Sequence, residues 1–238
     1  MRRILFSIVL GAALAGCGSQ REVSSTTTPA SRQMRVEWLG HECFQFTSSF
    51  GLRVITNPFD SSVGTMPKGL SPEVLLVTTE QPAFNNDDAM ENTPVIFRGA
   101  VGTGMNNASG MRIRGVPTYR DAAKSGEMNL VFCWTMDGMH ICFLGNIQGP
   151  LSGSQLSEIG TVDVLFLPVG LPASLSDAER SQLIEQLHPR VIVPMGPRSA
   201  VTSWGATQPH PYPVGGSTMM LSHGTLPFEQ TVMLFSPQ

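Results

Sequence analysis

Five histidines, four cysteines and scattered carboxylates are the side chains of this 238-residue chain that could hold a metal or move a proton. A catalytic zinc needs three or four converging nitrogen, sulfur or carboxylate donors. His41, His140, His188, His210 and His223 show no ligand spacing; only a fold that gathered His41, His210 and His223 could make a site of them. Nucleophilic chemistry has little more support. No G-x-S-x-G elbow occurs, and Ser217, Ser222 and His223 have no orienting acid nearby. Asp60 and Asp121 could line a pocket, but two carboxylates of unknown separation define no mechanism. Cys133 and Cys142 flank Asp137-Gly138, a hairpin signal. A two-residue turn there sets Cys133 opposite Cys142 at a non-hydrogen-bonded site, close enough for a disulfide. A three-residue turn with a bulge would place Phe132 opposite Cys142 instead, and two buried free thiols are the other reading of the pair.

These residues must be positioned by many short strands and few helices. Strand-like runs occur at 35–39, 43–47, 52–56, 74–78, 95–97, 111–115, 130–136, 139–144, 162–167, 191–194 and 231–235. Val74–Val77 is apolar at every position, as in a strand covered on both faces. The spacing predicts a helix over Asp177–Leu187, opened by a Ser176/Glu179 capping box and stopped before Pro189. A second helix is expected over Ser154–Ile159, and the Gly- and Pro-rich stretch Ala206–Ser222 is expected to be loop.

Several segments resemble the metallo-β-lactamase superfamily, in particular its lactonase-like branch, in consistent order from Met34 onward. VEWLGHECFQF at 36–46 is similar to the family's opening W-L-G-H-x-C-F strand pair, and VITNPF at 54–59 to its D-P-F. VLLVTTEQPAFNN at 74–86 occupies the place of the T-H-x-H-x-D-H strand and loop. GVPTYRD at 115–121, FLGNIQG at 143–149, VDVLFLPVG at 162–170 and PRVIVPMG at 189–196 follow. The resemblance implies an α+β fold, the four-layer αββα sandwich, with a metal site at one end of the sheets.

It also implies where that metal would sit, and there this chain departs. The ligand positions hold Thr79, Gln81, Ala83, Phe84, Arg120, Asn146 and Gly196, none of them a His or an Asp. Asn57 replaces an Asp expected to support the ligands. Neutral hydroxyl and amide oxygens are poor zinc ligands, and Arg120 brings a fixed positive charge. The expected site is therefore a degenerate pocket without metal or other cofactor. Arg120, Asp121, Asn57 and His41 are its candidate binding residues. Arg120 either takes over the metal's charge and holds an anion through bidentate hydrogen bonds or is a surface residue. His41 is a pocket base or, more in keeping with its position, a structural residue tying the first turn to the sheet.

The N-terminus points to export. Arg2 and Arg3 precede the apolar run Ile4–Ala15, which is too short to span a bilayer. Leu14-Ala15-Gly16-Cys17 resembles a bacterial lipobox, so 1–16 is expected to be a signal peptide and Cys17 the lipid attachment site. Residues 17–33 are polar and expected to form a flexible tether of roughly 20–25 Å reach, and 34–238 to be one domain. Loss of Arg2 and Arg3 lowers the basic count from 15 to 13 against 18 acidic residues, and no basic cluster exists, which argues against a nucleic-acid partner. The expectation is an envelope lipoprotein, held by its acyl chains in the bilayer (the outer membrane in a Gram-negative cell), whose domain binds a small anionic ligand or an envelope protein. The alternatives are a hydrolase of lactones, phosphodiesters or related esters with an atypical site, and a purely structural envelope protein.

Overall fold

The structure, a computed structural model, describes residues 32–119, 126–170 and 175–236. Cys17, Arg120 and Asp121 lie outside them.

Two mixed sheets face each other. The first contains β1 (Met34–Gly40), β2 (Cys43–Thr47), β3 (Arg53–Thr56), β4 (Val74–Leu76), β5 (Val95–Phe97) and β13 (Thr218–Leu221), in the order β13-β1-β2-β3-β4-β5. The second contains β6 (Gly104–Ala108), β7 (Met111–Thr118), β8 (Asn129–Met136), β9 (Met139–Phe143), β10 (Val164–Pro168), β11 (Val191–Met195), β12 (Tyr212–Val214) and β14 (Thr231–Phe235), in the order β12-β14-β11-β10-β9-β8-β7-β6. The β6–β9 stretch is an antiparallel meander, whereas β9, β10, β11, β14 and β12 pair in parallel. Every residue of β4, β10 and β11 is buried, as parallel strands covered on both faces require.

Alternation sorts the side chains. Phe44 and Phe46 of β2 point between the sheets, where Phe44 meets Phe166 at 4.9 Å and Phe46 meets Trp134 at 5.0 Å, both edge to face. Cys43, Ile55 and Leu75 point the other way and join Phe59, Leu70, Val77 and Met90 in a second cluster. Helix α1 (Gly99–Gly102) is a single turn after β5, and α2 (Gly153–Ile159), α3 (Asp177–Leu187) and α4 (Arg198–Gly205) lie in the second half of the chain. α2 packs on β7, α4 on β11 and β14, and Leu183 and Leu187 of α3 enter the main core. Over the first sheet, the described outer layer is a segment with short 3-10 turns at Pro82–Phe84 and Asp87–Ala89. Pro58, Pro67 and Pro72 between β3 and β4, and Pro82 between β4 and β5, keep these connections from forming long helices.

The Ser176/Glu179 capping box forms as expected, and α2 has a second one from Ser152 and Gln155. The loop expected over Ala206–Ser222 is corrected: it holds β12 and β13. Both are short edge strands, Pro213 among them, and their partners lie far away in sequence, as in Met34 opposite Leu221. β6 and α4 were not foreseen either. Asp137 (φ 50°) and Gly138 (φ 82°) make the two-residue turn between β8 and β9, so Met136 pairs with Met139 and Cys133 with Cys142. Cys43, Cys133 and Cys142 are free thiols in this structure.

Candidate functional site

At the end of β3 the chain turns through Asn57 (φ 37°), which lies beside Thr78, two residues beyond β4. The pair is locked both ways. The Thr78 amide donates to Asn57 Oδ1 at 2.8 Å, and Asn57 Nδ2 donates to Thr78 Oγ1 at 2.8 Å. The same amide nitrogen donates to Glu42 Oε2 at 2.9 Å. Glu42 sits in the β1–β2 turn and is completely buried. Burial pushes its carboxyl up to about 7, with the Asn57 hydrogen bond pulling the other way. Glu42 Oε1 has no hydrogen-bond partner among the described residues.

A second set of polar groups closes the site from the other sheet. Asn129 Nδ2 donates to Thr118 Oγ1 at 3.0 Å and to the Leu144 carbonyl at 2.9 Å, tying the ends of β7, β8 and β9 together. Gly145 (φ 60°) is wedged between the two sheets: a Cβ there would lie 2.5 Å from both Asn129 Oδ1 and Thr78 Oγ1. Asn146 follows, buried, and its Oδ1 and that of Asn129 have no partner among the described residues.

The third part is aromatic. His41 (φ 51°) holds the first turn through its carbonyl, which accepts from Trp38 Nε1 at 2.9 Å and from the Gly196 amide at 3.1 Å. Its half-buried ring meets Phe59 at 5.4 Å and Phe84 at 6.4 Å. Burial lowers its pKa, and a backbone hydrogen bond at Val63 opposes this. The Ala83 carbonyl accepts from the Asp60 amide at 3.1 Å, fixing the 3-10 turn that carries Phe84. Thr79 is buried, and its hydroxyl accepts from the Gln81 amide at 3.2 Å. Gln81 turns away to exposed Glu127 at 2.7 Å.

Of the positions singled out in the sequence, the fold thus brings His41, Phe84 and Gly196 together, and Asn57 and Asn146 around Thr78 and Gly145. Thr79 stands next to that group, Ala83 contributes backbone only, and Gln81 faces outward. The Glu42, Thr78, Thr118 and Asn129 network was missed. Its one visible signal was a carboxylate, Glu42, between His41 and the apolar start of β2.

The donors present do not suit a catalytic metal. They are carboxamides, hydroxyls, one carboxyl already bonded to Asn57 and a single imidazole, that of His41. Gly196 (φ 139°) cannot carry a ligand, because even a Cβ would lie 2.4 Å from the Val169 carbonyl oxygen. Among the described residues no three His, Cys, Asp or Glu side chains are grouped so as to hold a metal ion.

Two facing sheets with a buried polar network at the strand ends define a metallo-β-lactamase-type sandwich. The chain belongs to the family described as Beta-lactamase superfamily domain, whose profile matches residues 35–196. It is 23% identical to a metal-dependent hydrolase of Thermococcus onnurineus, over 68% of this chain and 84% of that one. It is 26% identical to one of Archaeoglobus fulgidus, over 68% and 82%. Among solved structures, a protein of Thermotoga maritima described as a Zn-dependent hydrolase of the metallo-β-lactamase superfamily superposes with a TM-score of 0.68. It is 24% identical, and the match covers 86% of this chain and all of that one. That likeness is one of fold.

Proposed function

We propose that this chain is a lipid-anchored protein of a bacterial envelope whose metallo-β-lactamase-like domain is a pseudoenzyme, binding a small anionic ligand or an envelope partner. Gly196 carries the reading. Where the resembled family has its last ligand histidine, the backbone lies against the Val169 carbonyl and leaves no room for any side chain. The ring of Phe84, at another ligand position, lies against His41 instead. Loss of the donor atoms together with loss of the space for one of them supports binding over metal-assisted hydrolysis. Arg120, with His41, is the proposed anion contact; Asn57, expected from the sequence to be a binding residue, is instead structural, because it is fully buried with its amide committed to Glu42 and Thr78. Cys17 is the proposed anchor.

The hydrolase alternative draws on the relatives described as metal-dependent hydrolases. Metal analysis of the purified mature protein after dialysis against zinc separates the two. The expected outcome is no stoichiometric zinc, no rise in Tm on adding zinc, and no turnover of lactone or phosphodiester substrates. A dialysis-resistant equivalent of metal with turnover would establish the enzyme. On the binding reading, phosphate titrations of wild type and Arg120→Ala should differ, and identical curves would remove Arg120 from the site.

A further inference from the structure

The outer face of the second sheet carries a separate cleft of about 240 Å³, lined by Arg112 and Arg114 of β7, Cys133 and Thr135 of β8, His140 of β9 and Glu158 of α2. Cys133 lies four residues along β8 from Asn129, roughly 13 Å at strand rise, and no residue of the strand-end network lines the cleft. This cleft is therefore distinct from the polar network at the strand ends.

Its chemistry is that of a paired thiol in a cationic setting. Cross-strand register sets Cys133 between Arg114 on one side and Cys142 on the other. Cys133 is partly exposed to the cleft, while Cys142 behind it is completely buried. A hydrogen bond to Cys133, together with burial, holds the Cys142 thiol well above the ordinary range. The two cysteines thus differ as an attacking and a resolving thiol differ. Three residue pairs separate them from the Asp137-Gly138 turn, which makes theirs a non-hydrogen-bonded pair with Cα atoms about 4.5 Å apart. That distance is at the short end of what a disulfide accepts, so the bond can close. Arg114 is 3.6 Å from Glu158, whereas Arg112 has no ion pair among the described residues and is free to take a carboxylate.

We propose that Cys133 and Cys142 are a reversible dithiol–disulfide site, and that the cleft admits low-molecular-weight disulfides carrying carboxylates. The Cys133 thiolate attacks one sulfur of the incoming disulfide. That S–S bond breaks, one half departs as a thiolate, and Cys133 is left in a mixed disulfide. Cys142 then gives up its proton and attacks Cys133 Sγ, expelling the second half as a thiolate. The protein loses two S–H bonds and gains one S–S bond. The incoming disulfide is reduced to two thiols, which take up the two protons. The inference is independent of what the strand-end pocket binds.

The test is reaction of the full protein with oxidised glutathione, read by peptide mass mapping without reductant. Wild type should form the Cys133–Cys142 disulfide and release two thiols per chain. Cys142→Ser should stop at glutathione on Cys133, and Cys133→Ser should leave Cys142 unmodified. Arg112→Ala should slow the reaction roughly tenfold with glutathione disulfide, but not with uncharged hydroxyethyl disulfide, because steering acts on the charge. Arg112 is exposed, so this variant does not hinge on refolding. Unreactive Cys133 in folded wild type, or glutathione appearing on Cys43 instead, would overturn the site. Equal slowing of both disulfides would overturn the carboxylate specificity.

Discussion

Replacing Glu42 with Gln tests the buried network at the strand ends most directly. An ordinary glutamate titrates at 4.5, and Glu42 in the folded protein at about 7. Between those values the native state holds a proton that the unfolded chain has lost. Stability contributed by the protonated carboxyl is therefore complete below the unfolded value. It declines as pH rises through the interval and levels off above the folded value. At roughly 1.4 kcal/mol per pH unit, the interval corresponds to about 3 kcal/mol. Glu42 is fully buried, so solvent does not screen this cost. Glu42→Gln cannot ionise, and its Oε1 can accept from Asn57 Nδ2. The slope of stability against pH should flatten in the variant, by up to about 3 kcal/mol between about pH 4.5 and pH 7. Its own unpaired amide group costs about 1–3 kcal/mol at every pH, shifting the curve without tilting it. Urea unfolding followed by tryptophan fluorescence, at stepped pH for both proteins, gives the difference. Taking that difference cancels His41, whose lowered pKa tilts stability the opposite way in both. Parallel curves across the interval would refute the assignment of a raised pKa to Glu42.

Gly145→Ala should destabilise by about 2–4 kcal/mol in urea, since its Cβ meets Thr78 and Asn129 at a positive φ; a loss under 1 kcal/mol would mean that the sheets part easily there. Gly196→His should lower the Tm and gain no zinc in equilibrium dialysis, because the Val169 carbonyl occupies the space its Cβ needs. Cys17→Ser should move the protein from the membrane to the soluble fraction or leave the precursor uncut; unchanged fractionation would remove the lipid anchor.

What the sequence alone determined is what short-range chemistry dictates. The Ser176/Glu179 capping box encodes the start of α3, and Asp137-Gly138 encodes a two-residue turn and with it the Cys133–Cys142 register. Apolar runs such as Val74–Val77 and Val164–Leu167 encode doubly covered strands, and ordered motifs revealed the family. The departures at Thr79, Phe84, Asn146 and Gly196 were equally legible, because they are identities. Tertiary structure decided everything that depends on long-range contact. β12 and β13 are strands only because β14 and β1 offer them an edge, against their own glycines and prolines. Nothing local in the sequence marks Glu42; burial beside Asn57 and Thr78 is what shifts its proton affinity. Gly196 read as a missing side chain and Gly145 drew no reading, and only the packing shows that Val169 in one case, and Thr78 and Asn129 in the other, forbid a side chain. The cleft at Cys133 needed α2 to settle over β7, a contact between residues more than forty positions apart that no local pattern encodes.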